Sequence, residues 1–596
     1  MKINKYIGIM MMATVTFVAT SCSDWNDWNT VPTDVNASAE KTLWENISSN
    51  SQLSDFAKIV EAAGLKDYLN TTRYYTVWAP LNGTYDADSV LNNSSTMLEQ
   101  FVYNHIAEYS HQAQGSDSVR IHTLNEKSYT FKGNGVDYTF NDVYLSQKNL
   151  PSNNGILHIL NGNSPFLPNA YQSIWMEDDI DSIANYFKKY ELTYLDENSS
   201  VAGPIVNGKQ TYIDSVMVTY NSMSNSIRAR LDSEDSLYTM ILPNNEAYMS
   251  LYNKIATYYN YAENTQAQDV ENATSTTYTT LTAPTTDLAY LKDSLIRRHI
   301  VNNLVYSHNN KYNARFFDGT PYIYNGQGEP EDTVFSTYRK KFSNPEDIFN
   351  EENIIENVKL SNGRAVIVDS LAFYPWETYN PQITVRGISA CRYLTGTRKN
   401  IRVSYPDETK VTLENGEQLT FIEVTPSSSF SKPEVDYYLT GILSGTYNIY
   451  VVIPPADVDL EDTSTEVKPN WLNFTLNYYN GSRLVDYKFT NERYVAGSQI
   501  ITYNQNTGAE VKTNIANTDF FNDTTKVDTL LLGQFTFPRC YSGLGAYYPN
   551  IKVTMPSTFS TLASKGHTAA FDRTIRICSI ILRPVEYDEF LKEEEQ

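Results

Sequence analysis

The sequence predicts a multidomain chain: two α+β domains of one plan, followed by an all-β antiparallel sandwich. Three observations predict it. At 596 residues the chain is too long for one domain. The stretch "YTVWAPLNGTY" (Tyr75–Tyr85) is written again as "YTMILPNNEAY" (Tyr238–Tyr248), each a β-rich run, a proline stop and an Asn-containing turn. From about Pro381 the text becomes short alternating segments separated by Gly, Pro and Asn, the pattern of an antiparallel sandwich.

Composition narrows the function. Hydrophobic residues make up 41%, enough for sizeable cores, and there are 46 tyrosines. The formal net charge is −23. No Lys/Arg cluster interrupts it, so a nucleic-acid partner is disfavoured, because counterion release needs one. The acidic end "EYDEFLKEEEQ" (Glu586–Gln596) reads as a solvated tail.

The N-terminus reads as a leader over residues 1–21. Lys2 and Lys5 precede an apolar stretch, Tyr6–Thr20, that is too short for a comfortable membrane span. "ATSC" (Ala19–Cys22) resembles a lipobox, with Ala19 in the usual Leu position. That resemblance implies cleavage before Cys22 and a diacylglycerol on its thiol; the plainer reading is a secretory leader with an incidental cysteine. Ser23, Asp24 and Asp27 resemble the export signal of surface lipoproteins of the Bacteroidota, which implies an outer-membrane protein facing the cell exterior. No other apolar run reaches 18 residues, so the lipid on Cys22 is the expected anchor, and residues 22–39 are a tether.

The first copy spans 40–168. Apolar residues Leu53, Phe56, Ile59, Val60 and Ala63 predict helix within Thr42–Leu69, with Gly64 as its stop. The strand ending at Pro80 follows, then a helix over Met97–Ser110 carrying His105, then a turn and strand in Asn153–Gly162. The second copy spans 169–380. It repeats a helix over Ile180–Leu195, the strand and stop at Pro243, a helix over Leu291–Ser307 with His299, and a closing strand in Leu360–Pro375. A Thr-rich insert at 262–288 and a second at 318–353 interrupt it; the first reads as a mobile loop.

These paired elements resemble the fasciclin-like domain. Thr239, Pro243, Asn245, Glu246, Ala247 and Tyr248 follow its first box, as do Thr76, Val77, Ala79, Pro80, Asn82 and Tyr85, although Gly83 and Thr84 replace the Glu-Ala pair. His105-Ile106 and His299-Ile300 match its His-Ile pair. The second box is matched by Asn154-Gly155-Ile156-Leu157-His158-Ile159-Leu160 and, more loosely, by Asn362-Gly363 with Val368 and Asp369. The resemblance covers residues 40 to about 380, and fasciclin-like domains commonly mediate adhesion, so it implies an adhesive role.

The C-terminal part, 381–596, is weakly similar to jelly-roll carbohydrate-binding modules through "LTGILSGTYNIYVVIPP" and "IRICSIILRP". Aromatic rings stack on sugar C–H faces, so Trp471, Tyr541, Tyr547 and Tyr548 are the candidate ligand-binding residues, with Tyr478 and Tyr479 beside them. Each competes with ordinary strand packing. Beyond Cys22, the odd set Cys391, Cys540 and Cys578 allows at most one disulfide and reads as buried thiols, with no metal-ligand spacing. Asp88-Ser89-Val90 and Asp369-Ser370-Leu371 resemble an O-glycosylation sequon. No nucleophile elbow, zinc helix or phosphate loop is present, so no catalytic residue, cofactor or metal is expected. His105 and His299 read as core histidines. The expectation is a non-catalytic surface lipoprotein, accessory to a SusC/SusD-like nutrient-uptake complex through glycan or protein binding; the alternative is a cell-surface adhesin.

Overall fold

The computed structural model describes residues 38–594 except 262–265, 268–280, 283–286, 322, 324–330, 389–390, 394–398, 405–419, 427, 429–431, 457–466, 481–483, 493–496, 504–506, 545–548 and 557–570. Cys22, the leader, most of the tether and most of the 262–288 insert lie outside the described residues. The chain divides into two compact units. One takes residues up to 245 with 304–339 and 343–369; the other takes 246–303, 340–342 and 370 onward. Among the described residues no helix is long and apolar enough to cross a membrane.

In the first copy the expected long helix is broken into Leu43–Ser49, a 3-10 turn and Ser54–Ala62. Asn50 causes the break, its side chain turning back to cap Gln52 N–H. Gly64 does stop the second helix, at φ 74°. A seven-stranded sheet follows: β1 (Tyr75–Pro80), β2 (Ile106–Glu108), β3 (Ser118–His122), β4 (Ser128–Gly133), β5 (Tyr138–Phe140), β6 (Val143–Ser152) and β7 (Gly155–Leu160), in the order 2-1-7-6-5-4-3. β1 and β7 run parallel and every residue of both is buried. The helix expected over Met97–Ser110 is cut short: Ser95–Tyr103 is helical, and the chain re-emerges as β2 beside β1.

The second stretch shares the start of this plan and the parallel central strand pair, but its sheet has four strands where the first has seven. Helix Ala170–Met176 starts on a capping box from Asn169 and Gln172, as Leu43–Ser49 does from Thr42 and Glu45. The helix expected over Ile180–Leu195 stops at Lys188. The chain then turns into a long hairpin: β8 (Glu191–Leu195), β9 (Val201–Val206), β10 (Lys209–Asp214) and β11 (Met217–Asn221), with β8 on β11 and β9 on β10. The central sheet follows as β12 (Tyr238–Pro243), β13 (Val305–Ser307), β14 (Ile354–Leu360) and β15 (Gly363–Val368), in the order 13-12-15-14, with β12 and β15 parallel.

The register corrects one correspondence. Trp78 N–H donates to His105 O, and Val77 faces Ile106. Ile241 N–H donates to Leu304 O, and Met240 faces Val305. Leu304-Val305 therefore stands where His105-Ile106 stands, and His299 lies five residues earlier, inside helix Leu288–Val301. The asparagines after the strand stops also act backwards rather than forwards. Asn82 Oδ1 accepts from Asp55 N–H (3.1 Å), and Asn245 Oδ1 accepts from Ser182 N–H (2.8 Å), so each holds the start of a helix that precedes it in the chain.

The second unit is β-rich. Ile383–Arg386, Ser579–Pro584, Gly445–Ile453 and Asp528–Phe537 form one antiparallel sheet in that order; Glu434–Tyr438, Asn550–Thr554 and Trp471–Tyr479 are consecutive in another. Tyr447, Ile449 and Val451 from the first meet Phe474, Leu476, Ile551 and Val553 from the second in one buried core. The run "RTIRICSIILRP", expected as one strand, is two. Ile575–Ile577 pairs with Phe421–Pro426, and Ser579–Pro584 pairs with Gly445–Ile453. The switch is Cys578, whose N–H donates to Val452 O (2.8 Å) and whose O accepts from Gly387 N–H (2.6 Å). Cys540 and Cys578 are buried free thiols, each pushed up to about 12 by burial. The side chain of Cys391 lies outside the described residues.

The acidic end is not a solvated tail. Val585–Glu594 is a helix, and Asp588 on it is buried. Burial works against the Asp588 carboxylate, but hydrogen bonds from Tyr450 (2.6 Å), Asn448 (2.5 Å) and Arg583 (2.7 Å) outweigh it and hold the group below the usual carboxylate range. Trp376 packs the helix from the other side, 5.5 Å from Tyr587 and 5.0 Å from Phe590.

Candidate functional site

Two features of the first unit are not required by its sheets. The first is the ribbon from Glu191 to Asn221. Asn207 and Gly208 both take positive φ, 51° and 74°, which is the turn whose twist matches a two-stranded ribbon. Leu192 lies opposite Tyr220, and Tyr194 opposite Val218. Side chains alternate along a strand, so these four share one face. Leu192 and Tyr194 are 57% and 54% exposed; nearer the turn, Ile205 and Ile213 are 71% and 77% exposed. Glu191, Asp196, Glu197 and Asp214 make the ribbon acidic against a single Lys209. Each of its strands has only one neighbour among the described residues, leaving an open edge on both sides.

The second feature is a cavity of about 540 Å³. Helix Ser95–Tyr103 gives it Met97, Gln100 and Phe101, which the helical period places on one face. Asn104, Asn125 and Lys127 form its floor; Asn163, Ser164 and Phe166 form one side; Gln172 and Met176 close the other. The floor is a hydrogen-bonded network. Asn104 Oδ1 accepts from Asn125 Nδ2 (2.8 Å) and from the Tyr129 hydroxyl, and Asn104 Nδ2 donates to Ser164 O (2.9 Å). Ser164 N–H in turn donates to His105 Nε2 (2.9 Å), while His105 Nδ1–H donates to Phe101 O (2.8 Å). Both nitrogens are thus satisfied, as a core histidine requires, and burial lowers His105 to about 4.

Lys127 is the charged residue of the lining, with a side chain 5% exposed. Its ammonium donates to Gln172 Oε1 (2.6 Å) and Glu234 Oε1 (3.2 Å). Burial lowers its pKa, and the Glu234 charge opposes that shift. Glu234 also accepts from Ser128 N–H and the Ser361 hydroxyl (2.7 Å), and Arg120 donates to Ser361 O (2.8 Å). The charge under the cavity is therefore neutralised from beneath, leaving a neutral wall.

The aromatic candidates of the C-terminal part are placed otherwise. Trp471 is 6% exposed and packs on Phe571 (5.1 Å) and Phe521 (5.9 Å). Tyr541 is 2% exposed, its hydroxyl donating to Tyr479 O (3.3 Å) and accepting from Tyr479 N–H (3.2 Å). Tyr478 packs edge-on against Phe535 (4.8 Å). Trp471 and Tyr541 belong to the core and present no face to a ligand; strand packing claims them. Tyr547, Tyr548 and the lipidation candidate Cys22 lie outside the described residues. His299 sits beside Tyr259 (6.3 Å) and is lowered to about 4 by burial. Among the described residues no cluster of His, Cys, Asp and Glu is arranged for a metal.

Residues 51–162 match the family model described as the fasciclin domain, so this stretch of the chain is a fasciclin-like domain. No curated protein matches the chain. Among solved structures, a FAS1 domain pair from the insect cell adhesion molecule fasciclin I aligns at 12% identity over 56% of this chain and 99% of that one, with a TM-score of 0.20. A carbohydrate esterase from a Shiga toxin-encoding bacteriophage aligns at 10% identity over 34% of this chain and 96% of that one, with a TM-score of 0.16.

Proposed function

We propose that this is a non-catalytic surface lipoprotein, anchored in the outer membrane through Cys22, with two tandem fasciclin-like domains and a C-terminal β-sandwich. We propose further that it is accessory to a SusC/SusD-like nutrient-uptake complex of the Bacteroidota type and docks on that complex as a protein partner. The observation that carries the docking role is the ribbon. An open-edged hairpin with an apolar face in water is costly unless something covers it, and the first copy makes the same connection from helix to central strand without one. Recognition by strand addition supplies main-chain hydrogen bonds to an open edge and pockets for alternate side chains.

The test is capture of the tagged, full-length lipoprotein from gently solubilised outer membrane, with mass spectrometry of what accompanies it. A stoichiometric transporter pair with the wild type, depleted when Leu192, Tyr194 and Ile213 are changed to Ser, is the expected result. The wild-type protein recovered alone overturns the accessory role. The second reading, a cell-surface adhesin, draws on the fasciclin domain at 51–162; it would show as matrix binding by intact cells with no transporter captured.

A further inference from the structure

We infer that the cavity lined by helices Ser95–Tyr103 and Ala170–Met176 is a binding site for a neutral sugar ring. It goes beyond the docking role proposed for the ribbon and does not depend on it. Among the described residues no carboxylate lines the cavity, so it holds no counter-charge for a cation. Its charged lining group, Lys127, already faces Glu234 at 3.2 Å, so an anion would have to compete with a buried carboxylate. The ligand the lining suits is uncharged.

Hydrogen bonding sets the next condition. Among the described residues the side-chain amides of Gln100 and Asn163 have no protein partner, and Asn93 Nδ2 donates to Ser89 O (3.0 Å) and Val90 O (3.2 Å), which leaves its carbonyl oxygen open. Each free amide both donates and accepts. A hydroxyl does the same, so an edge carrying several hydroxyls matches this wall where a wholly apolar ligand would leave it unpaired.

The rim sets the third. Phe166 is 44% exposed, and Met97 and Met176 are each 57% exposed. A flat ring and two thioethers in water, facing an amide wall, pair apolar C–H surface with polar edges in one molecule. A pyranose has that division, apolar on its faces and hydroxylated around its edge. The volume, about 540 Å³, lies within the range of ligand sites, roughly 300–1,000 Å³.

The experiment is saturation-transfer NMR on the full chain with galactose, mannose and N-acetylglucosamine, and with glucuronate as the charged control. Transfer to the C–H protons of at least one neutral sugar is expected, with none to glucuronate. Gln100→Ala, at an exposed position, and Phe166→Ala, whose ring also carries the Lys127 ammonium at 5.7 Å and whose melting temperature is therefore measured alongside, should each weaken that sugar about tenfold. No transfer to any neutral sugar overturns the inference. So does transfer that both variants leave intact, which would put the sugar elsewhere, or preferred binding of glucuronate. A null here leaves capture of the transporter pair unaffected, and failure of that capture leaves the sugar signal unaffected, so the two readings fail separately.

Discussion

In the first copy Asn154 and Gly155 open β7; in the second Asn362 and Gly363 open β15. Asn154 Oδ1 accepts from Leu43 N–H (2.8 Å), and its amide donates to Leu69 O and Thr71 O. Asn362 does the same with Ala170 N–H (2.8 Å), Leu231 O and Ser233 O. Gly155 and Gly363 take φ of 152° and 137°, and a Cβ on either would lie 1.9 Å from the carbonyl oxygen of Tyr75 or Tyr238. The interiors differ. Where the first copy has His105 and His158, the second has Leu304 and Val366 at the same registers. The Asn-Gly opening is repeated, whereas the backbone bonds of His105 (Phe101 O, Ser164 N–H) and His158 (His111 O) have no histidine counterpart at Leu304 and Val366, and among the described residues the ribbon belongs to one stretch alone.

The sharpest way to break the comparison is at the glycines. Gly155→Ala and Gly363→Ala should each cost roughly 3–5 kcal/mol, since each adds a clash with backbone to a positive φ. Urea denaturation of both variants checks it; a mild effect in one copy alone would mean the two sites are not equivalent. Next come the asparagines. Asn154→Ala and Asn362→Ala each strand three backbone groups, and a loss of about 3 kcal/mol is expected in both.

The last effect is the one that should differ between copies. His105 and His158 are lowered from 6.5 to about 4, chiefly by burial. Their contribution is fully present above pH 6.5 and is lost as pH falls toward 4, because the unfolded chain takes up the proton first. At pH 5 the loss is about 2 kcal/mol per histidine. β12 has a histidine of its own, His308 on Thr239 Oγ1 (2.9 Å), also lowered by burial but with the Asp318 charge opposing the shift, so hydrogen exchange at pH 5 against pH 7 should loosen β1 and β7 more than β12 and β15. His105→Leu with His158→Val, which writes the second copy's residues into the first, should flatten that difference; an unchanged difference would place its origin elsewhere.

The strand, the proline stop and the Asn-Gly opening were legible because each is a local demand of the backbone. The His299 correspondence failed because letters carry no register: Leu304, not His299, sits beside Ile241. The helix expected to Leu195 hid the start of β8, since "ELTYL" suits either period, although Asn207-Gly208 was a readable hairpin signal. Trp471 and Tyr541 misled because an aromatic in a strand looks the same whether it faces water or core. The cavity left no motif at all. Its amides come from four separate stretches, and only the sheet order brings Gln100 near Asn163 and Gln172.

The Lys127–Glu234 pair has a consequence for how this protein can be divided. Lys127 belongs to the first repeat, and Glu234 and Ser361 to the second. A fragment cut at 168 would lose Glu234, Gln172 and Met176 together, so Lys127 would give up both its partners and part of its cover. The two stretches share one charge balance, so residues 38–168 alone should be less stable than the same residues in the full chain.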